Sequence, residues 1–168
     1  MRRLTAVAAI ATLVCDLGTL CAASEKRIDV AAVVSKKDAE SALGEAVKDP
    51  QSSNEEGTDG YYSRCKYYSQ NPGRSLVLRV RQTSGDQLAP AKQLEELMAG
   101  SSKIKPLSGF GDKAALASEG AQNNLSHLVM LYVVKGNAFV TVGIGGLNDE
   151  KAALEKAKAL ARKILAKL

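Results

Sequence analysis

Hydrophobic positions crowd the stretch from His127 to Gly145, HLVMLYVVKGNAFVTVGIG, and give way only around Gly136-Asn137. A Gly-led pair between two apolar runs predicts a two-residue hairpin loop, because its backbone must visit positive φ. That loop sets a register in which Lys135 faces Ala138, Val133 faces Val140, Leu131 faces Val142 and Val129 faces Ile144. The opposite side pairs Val134 with Phe139, Tyr132 with Thr141 and Met130 with Gly143. The first side is aliphatic, as a helix-covered surface should be. The second mixes rings, a hydroxyl and a glycine, and reads either as a half-exposed binding face or as a second covered layer.

A second hairpin runs from YYSRCKYYS through NPGR to SLVLRVRQT. With Asn71 to Arg74 as a four-residue loop, Cys65 meets Val80, Tyr67 meets Leu78 and Ser69 meets Leu76 on one face. The other face pairs Arg64 with Arg81, Lys66 with Arg79 and Tyr68 with Val77. Helical spacing appears three times. Ser35 and Asp38 form a capping box ahead of Ala39, Ala42, Leu43, Ala46 and Val47. Leu88, Ala91, Leu94, Leu97 and Met98 share one face of a second helix, with Pro90 in its first turn and Gly100 at its end. The third opens at Asn148, places Asp149 and Glu150 at the positive end of its dipole, and lines up Leu154, Ala157, Ala161, Ile164, Leu165 and Leu168. Residues 49–60, DPQSSNEEGTDG, read as a polar loop, as do residues 101–112, while KAALAS reads as a short strand.

This order predicts an α+β fold: a two-layer antiparallel sheet of about five strands with helices near 35–47, 88–99 and 149–167 on one face. A length of 168 residues, 45% of them hydrophobic and 24% charged, fits one globular domain. The N-terminus modifies that picture. Met1-Arg2-Arg3, the short apolar run from Leu4 to Val14 and the small residues Cys21-Ala22-Ala23 read as a secretory signal peptide over 1–23, with Ser24 opening a single domain over 24–168. Asp16 interrupts the apolar run, so a spanning helix of about 20 apolar residues is not expected. Cys21 follows Gly18 and Leu20 in a pattern unlike a lipid-attachment site, so the expected product is secreted or periplasmic and not lipidated.

Cleavage there removes Cys15 and Cys21 and leaves Cys65 alone, so no internal disulfide is expected. It also removes Arg2, Arg3 and Asp16, leaving 21 basic against 17 acidic residues, a net charge of +4. A mildly basic chain suits anionic envelope polymers or lipid surfaces, and a binding module also admits a protein partner. With five Tyr, two Phe and no Trp it lacks the stacking surface of a specific nucleic-acid binder.

Two candidate surfaces follow. The cationic strand face of Arg64, Lys66, Tyr68, Arg79 and Arg81 sets like charges opposite one another, which costs up to about 1 kcal/mol a pair unless hydration, salt or an anion relieves it. The apolar sheet face of Met130, Tyr132, Phe139 and Thr141 offers a pocket for a small molecule or lipid. Catalytic patterns are missing from the chain. It has one histidine, His127, no GxSxG elbow, and no His or Cys pairs for tetrahedral zinc. Asn54, Glu55, Glu56 and Asp59 are an acidic loop capable at most of weak cation binding. Gly143-Ile144-Gly145-Gly146 lies where a dinucleotide fingerprint would sit, but Asn148 holds its third glycine position and Asp149 and Glu150 would repel a phosphate. Cys65 with His127 is the one conceivable nucleophile pair, and the register turns Cys65 toward the core. Asn124-Leu125-Ser126 spells a glycosylation acceptor for a eukaryotic host.

The layout, with RCKY at Arg64 to Tyr67, LSGFGDKA at Leu107 to Ala114, and the late hairpin with its closing helix, resembles an uncharacterised family of small secreted or lipid-anchored bacterial envelope proteins over about residues 30–168. The resemblance implies fold and compartment and brings no activity, catalytic residue, metal or cofactor. The expected function is an exported, envelope-associated, non-catalytic binding or interaction module. The alternative is a small-molecule or lipid carrier, or a minor enzyme, working through the face around Tyr132, Phe139 and Met130.

Overall fold

A computed structural model describes residues 26–85, 87–120 and 127–168. The expected signal peptide over 1–23, with Cys15 and Cys21, the expected first mature residue Ser24 and the expected glycosylation acceptor at Asn124 lie outside the described residues. Seven antiparallel strands form one sheet: β1 (Gln51–Gly57), β2 (Gly60–Tyr68), β3 (Ser75–Thr83), β4 (Ile104–Leu107), β5 (Lys113–Glu119), β6 (Leu128–Lys135) and β7 (Ala138–Gly145). The helices are α1 (Val30–Val33), α2 (Lys36–Leu43), α3 (Pro90–Gly100) and α4 (Glu150–Leu165). The fold is α+β, and the sheet is larger than the expected five strands.

The strand order β1-β2-β3-β7-β6-β5-β4 joins two meanders, each with its last strand at the centre. The β6–β7 hairpin has the register expected of it, from Lys135 opposite Ala138 to Val129 opposite Ile144. Gly136 supplies the positive φ of its turn, at 55°. At the other end of β7, Gly146 has φ 86°, and a Cβ there would stand 2.0 Å from the Gly73 carbonyl oxygen, so only glycine lets these two connections pass.

Both added strands are edges, and both carry sequence that hides them. In β1 every residue except Gly57 is exposed on both faces, so no alternation marks it, and the polar 49–60 segment is a strand rather than the expected loop. Pro106 and the flanking lysines disguise β4 in the same way, and Pro also blunts that edge against further pairing.

The first face of the sheet carries Cys65, Tyr67, Leu76, Leu78, Val80, Val129, Leu131, Val133, Val140, Val142 and Ile144, all buried beneath α1, α2 and α4. Ser35 caps α2 and forms the full capping box with Asp38, and Gly44 ends the helix in the left-handed conformation. Asp38 also accepts a 2.6 Å bond from Lys163, tying the start of α2 to the end of α4. The N-terminal segment is pinned by Gln82, whose side chain accepts from Ile28 N at 2.7 Å and donates to the Lys26 carbonyl at 2.9 Å.

One helix departs from the expected single helical layer. β3 ends at the centre of the sheet while β4 lies at its far edge, so their connection must cross β7, β6 and β5. With the first face filled, α3 crosses the second. It buries Leu94 against Ala115, Val134 and Phe139, with Leu97, Met98, Ile104 and Tyr132 around them. The result is a partial third layer over β4 to β7. It leaves most of the second face of β1 to β3 uncovered, the end of β3 at Arg81 excepted.

Candidate functional site

The two candidate surfaces prove to be one. The β2–β3 loop falls one residue earlier than expected, at Gln70 to Gly73, because Ser69 donates its N–H to the Arg74 carbonyl and Gln70 turns away to donate to Ala46. A one-residue shift of the loop moves the register by two. Cys65 therefore opposes Leu78 and Tyr67 opposes Leu76, where Val80 and Leu78 were expected. On the other face Arg64 opposes Arg79, Lys66 opposes Val77 and Arg81 opposes Tyr62. Across the next strand pair, Arg79 opposes Thr141, which opposes Tyr132. The basic strand face and the apolar face are thus neighbouring columns of the second face.

A groove of about 320 Å³ forms where α3 stops covering them. Phe139 and Thr141 make its floor, 5% and 7% exposed, with Met130 and Tyr132 beside them. Met130 lies across bare backbone, since a Cβ on Gly143 would stand 2.5 Å from its sulfur. The rings of Tyr132 and Phe139 are tilted at 35° with centroids 6.2 Å apart. Gln93 and Leu97 of α3 form one wall, and Arg64 and Arg79 the other. The Arg64 guanidinium stands 5.4 Å from the centroid of Tyr62. Burial pushes the Tyr132 phenol up, and the Arg79 charge pulls it part of the way back.

The expected cations have three different fates. Arg81 is buried, only 7% exposed, and is a strut. Its Nη2 lies 3.2 Å from the Asp59 carboxylate, and its Nη1 donates to Gln93 Oε1 at 2.9 Å and to the Leu88 carbonyl at 3.3 Å. Tyr62 donates to the same Asp59 carboxylate at 2.5 Å, and that bond, with the Arg81 charge, holds the Asp59 carboxyl below its usual range. Of the Arg81 nitrogens only Nε is buried without a hydrogen-bond partner among the described residues, where Thr83 Oγ1 and His127 Nδ1 are likewise unpartnered. Arg64 and Arg79 are exposed groove walls, and among the described residues neither has an acidic partner within ion-pair distance. Lys66 is on the same face one row further along, and Tyr68 is exposed near the end of β2; neither lines the groove. Tyr62, Gln93 and Leu97 line it as well. Tyr62 shares the face of Arg64 by strand alternation, a signal present in the sequence, and the register shift only sets it opposite Arg81; the other two follow from α3 taking the second face.

The remaining sequence candidates separate. Cys65 is fully buried, and burial pushes its thiol up. Strands β2 and β6 lie three strand spacings apart, about 14 Å, so His127 beside β6 cannot hold the Cys65 thiol as thiolate. The acidic segment is dispersed: Asn54 accepts from Ser63, Glu56 pairs with Arg27, and Asp59 with Arg81. No group of three or more His, Cys, Asp or Glu positioned to hold a metal occurs among the described residues. No helix among them is long and apolar enough to cross a membrane.

Comparison with known protein families, with curated proteins and with solved structures yields no match to this chain.

Proposed function

We propose that this protein is an exported, envelope-associated, non-catalytic binding module, and that the groove between α3 and the uncovered half of the sheet is its working surface. The reading rests above all on Arg79. It stands between Arg64 and Thr141 in one cross-strand row, beside the Tyr132 ring, with no acidic partner within ion-pair distance among the described residues. Two like-charged guanidinium groups directly opposite one another oppose sheet pairing, and an anion at the groove mouth relieves both at once. Anionic components of a cell envelope, whether polymer or lipid headgroup, are the matching partner class. The basic n-region, apolar run and small residues before Ser24 support export, and the resemblance to small envelope proteins belongs to the same proposal.

Retention on a dextran sulfate column is the direct test. Arg64→Glu/Arg79→Glu should elute at a much lower salt concentration than the parent and melt at the same temperature. Equal retention of the two proteins would remove the groove from the function. N-terminal sequencing of the exported chain should begin near Ser24, and an intact apolar segment would overturn the export reading.

A further inference from the structure

Resting on that reading of the groove, we infer that its occupant is a single amphipathic acid, an aliphatic chain ending in one phosphate or carboxylate head, bound as a free monomer. Groove chemistry changes along its length. At one wall are the guanidinium groups of Arg64 and Arg79, which have no acidic partner within ion-pair distance among the described residues, and at the other and on the floor are Leu97, Met130, Phe139 and the Tyr132 ring. A wholly polar anion would leave the apolar floor wet, and a neutral hydrocarbon would leave the guanidinium groups uncompensated. Only a ligand with both parts matches both ends.

A second observation points to a bound acceptor. Arg81 lines the groove and is more than nine-tenths buried, and its Nε–H has no partner among the described residues although both terminal nitrogens are engaged by Asp59, Gln93 and backbone carbonyls. Buried donors are nearly always satisfied; of the three buried side-chain atoms left without a partner among those residues, Arg81 Nε, Thr83 Oγ1 and His127 Nδ1, it is the one whose residue lines the groove, and we assign it to a ligand oxygen. The Thr141 hydroxyl, on the floor opposite Arg79, is a further polar group within the same groove. The volume of about 320 Å³ is at the low end for small-molecule sites, which suits one ligand molecule rather than a wrapped polymer. Met130 gives the apolar end an adaptable lining, because an unbranched thioether repacks around chains of different length.

The test is isothermal titration of the protein with dodecyl phosphate below its micelle concentration. We expect saturable binding of one molecule. Arg79→Gln should weaken it tenfold or more, while Lys113→Gln, on the same sheet face but paired with Glu95, should leave it unchanged. Methyl phosphate should compete at least a hundredfold less well, and dodecyltrimethylammonium should not bind. Competition by methyl phosphate at equal concentration, or equal binding of the cationic amphiphile, overturns the inference. Attachment to phosphatidylglycerol vesicles without binding of the monomer also overturns it, in favour of surface adhesion. Salt-sensitive retention on dextran sulfate with no dodecyl phosphate binding would sink this inference alone. Loss of both would sink the groove itself. Matching melting temperatures for parent, Arg79→Gln and Lys113→Gln show that each comparison concerns folded protein.

Discussion

Reversing one arginine of the cationic face should lower the melting temperature of the protein markedly, and reversing its neighbour two residues away should not. Arg81→Glu removes a guanidinium whose side chain is 8% exposed and which holds Asp59, Gln93 and the Leu88 carbonyl together. It also puts a second carboxylate beside Asp59 in a space closed by α3. Asp59 is 37% exposed and stays hydrated, so the cost falls on the new carboxylate, buried where the guanidinium was and left without a cation; an uncompensated buried charge costs about 3–5 kcal/mol. For a domain of this length each kcal/mol lowers the melting temperature by about 2–4 °C, so the expected drop is about 6–20 °C. Arg79→Glu changes an exposed side chain with no acidic partner, and surface substitutions of that kind stay within about 0.5 kcal/mol. Thermal unfolding followed by circular dichroism at pH 7 separates the two. An Arg81→Glu protein melting within about 2 °C of the parent would mean that the Asp59–Arg81–Gln93 network carries no stability, and the assignment of Arg81 as a strut would be wrong.

Acid should weaken the clasp between α2 and α4. Burial raises the Asp38 carboxyl, but the bonds from Lys163 and Ser35 outweigh it, so the net shift is downward. A lowered carboxyl stabilises the fold above its unfolded value of about 3.9, and that contribution is lost as pH falls through the folded value. Asp38→Asn should therefore melt below the parent at pH 7, with the gap closing toward pH 2; a gap independent of pH refutes this. In a chain starting at Ser24, Cys65 should resist N-ethylmaleimide until denaturant is added, and full labelling within minutes under native conditions would contradict its burial. Hydrogen exchange should be slowest over Leu131 to Val142, and residues 51–57 should show protection from their bonds to β2. Exchange over 51–57 at the rate of an unstructured peptide would return that segment to a loop.

The central hairpin was legible because both of its strands are buried on at least one face and its turn carries Gly136 where positive φ is needed. The capping box at Ser35 and the acidic start of α4 were legible for the same reason, each being a local device complete within a few residues, although Asp149 caps α4 where an opening at Asn148 was expected, and α1 was not expected at all. The two edge strands were not. Gln51 to Gly57 owes its strand state to the β2 backbone rather than to side-chain burial, and composition alone sees only turn formers there. Nor could α3 be assigned to a face, since its apolar stripe fits either side and only the filling of the first face by the terminal helices decides the matter.

The basic face shows how a small register error can preserve a site and still misassign its members. A shift of two residues equals the side-chain period, so every cation stayed on the second face while every partner changed. Arg81 gained Tyr62 as its cross-strand neighbour. It gained Asp59 only because β1 is a strand, whose tight turn into β2 carries that carboxylate to the sheet. It gained Gln93 only because α3 crosses the second face. Three non-local consequences thus convert one apparent surface cation into a structural one, and none can be read from the residues around position 81. Arg79 gained no acidic partner among the described residues, and it opposes Thr141, one strand short of Tyr132. On the proposed reading of the groove, the anion would therefore be met by Arg79 and Arg64 rather than by Arg81. Substituting 79 and 81 together would mix unfolding with loss of binding, whereas substituting 64 and 79 changes the charge of the groove and leaves its frame in place.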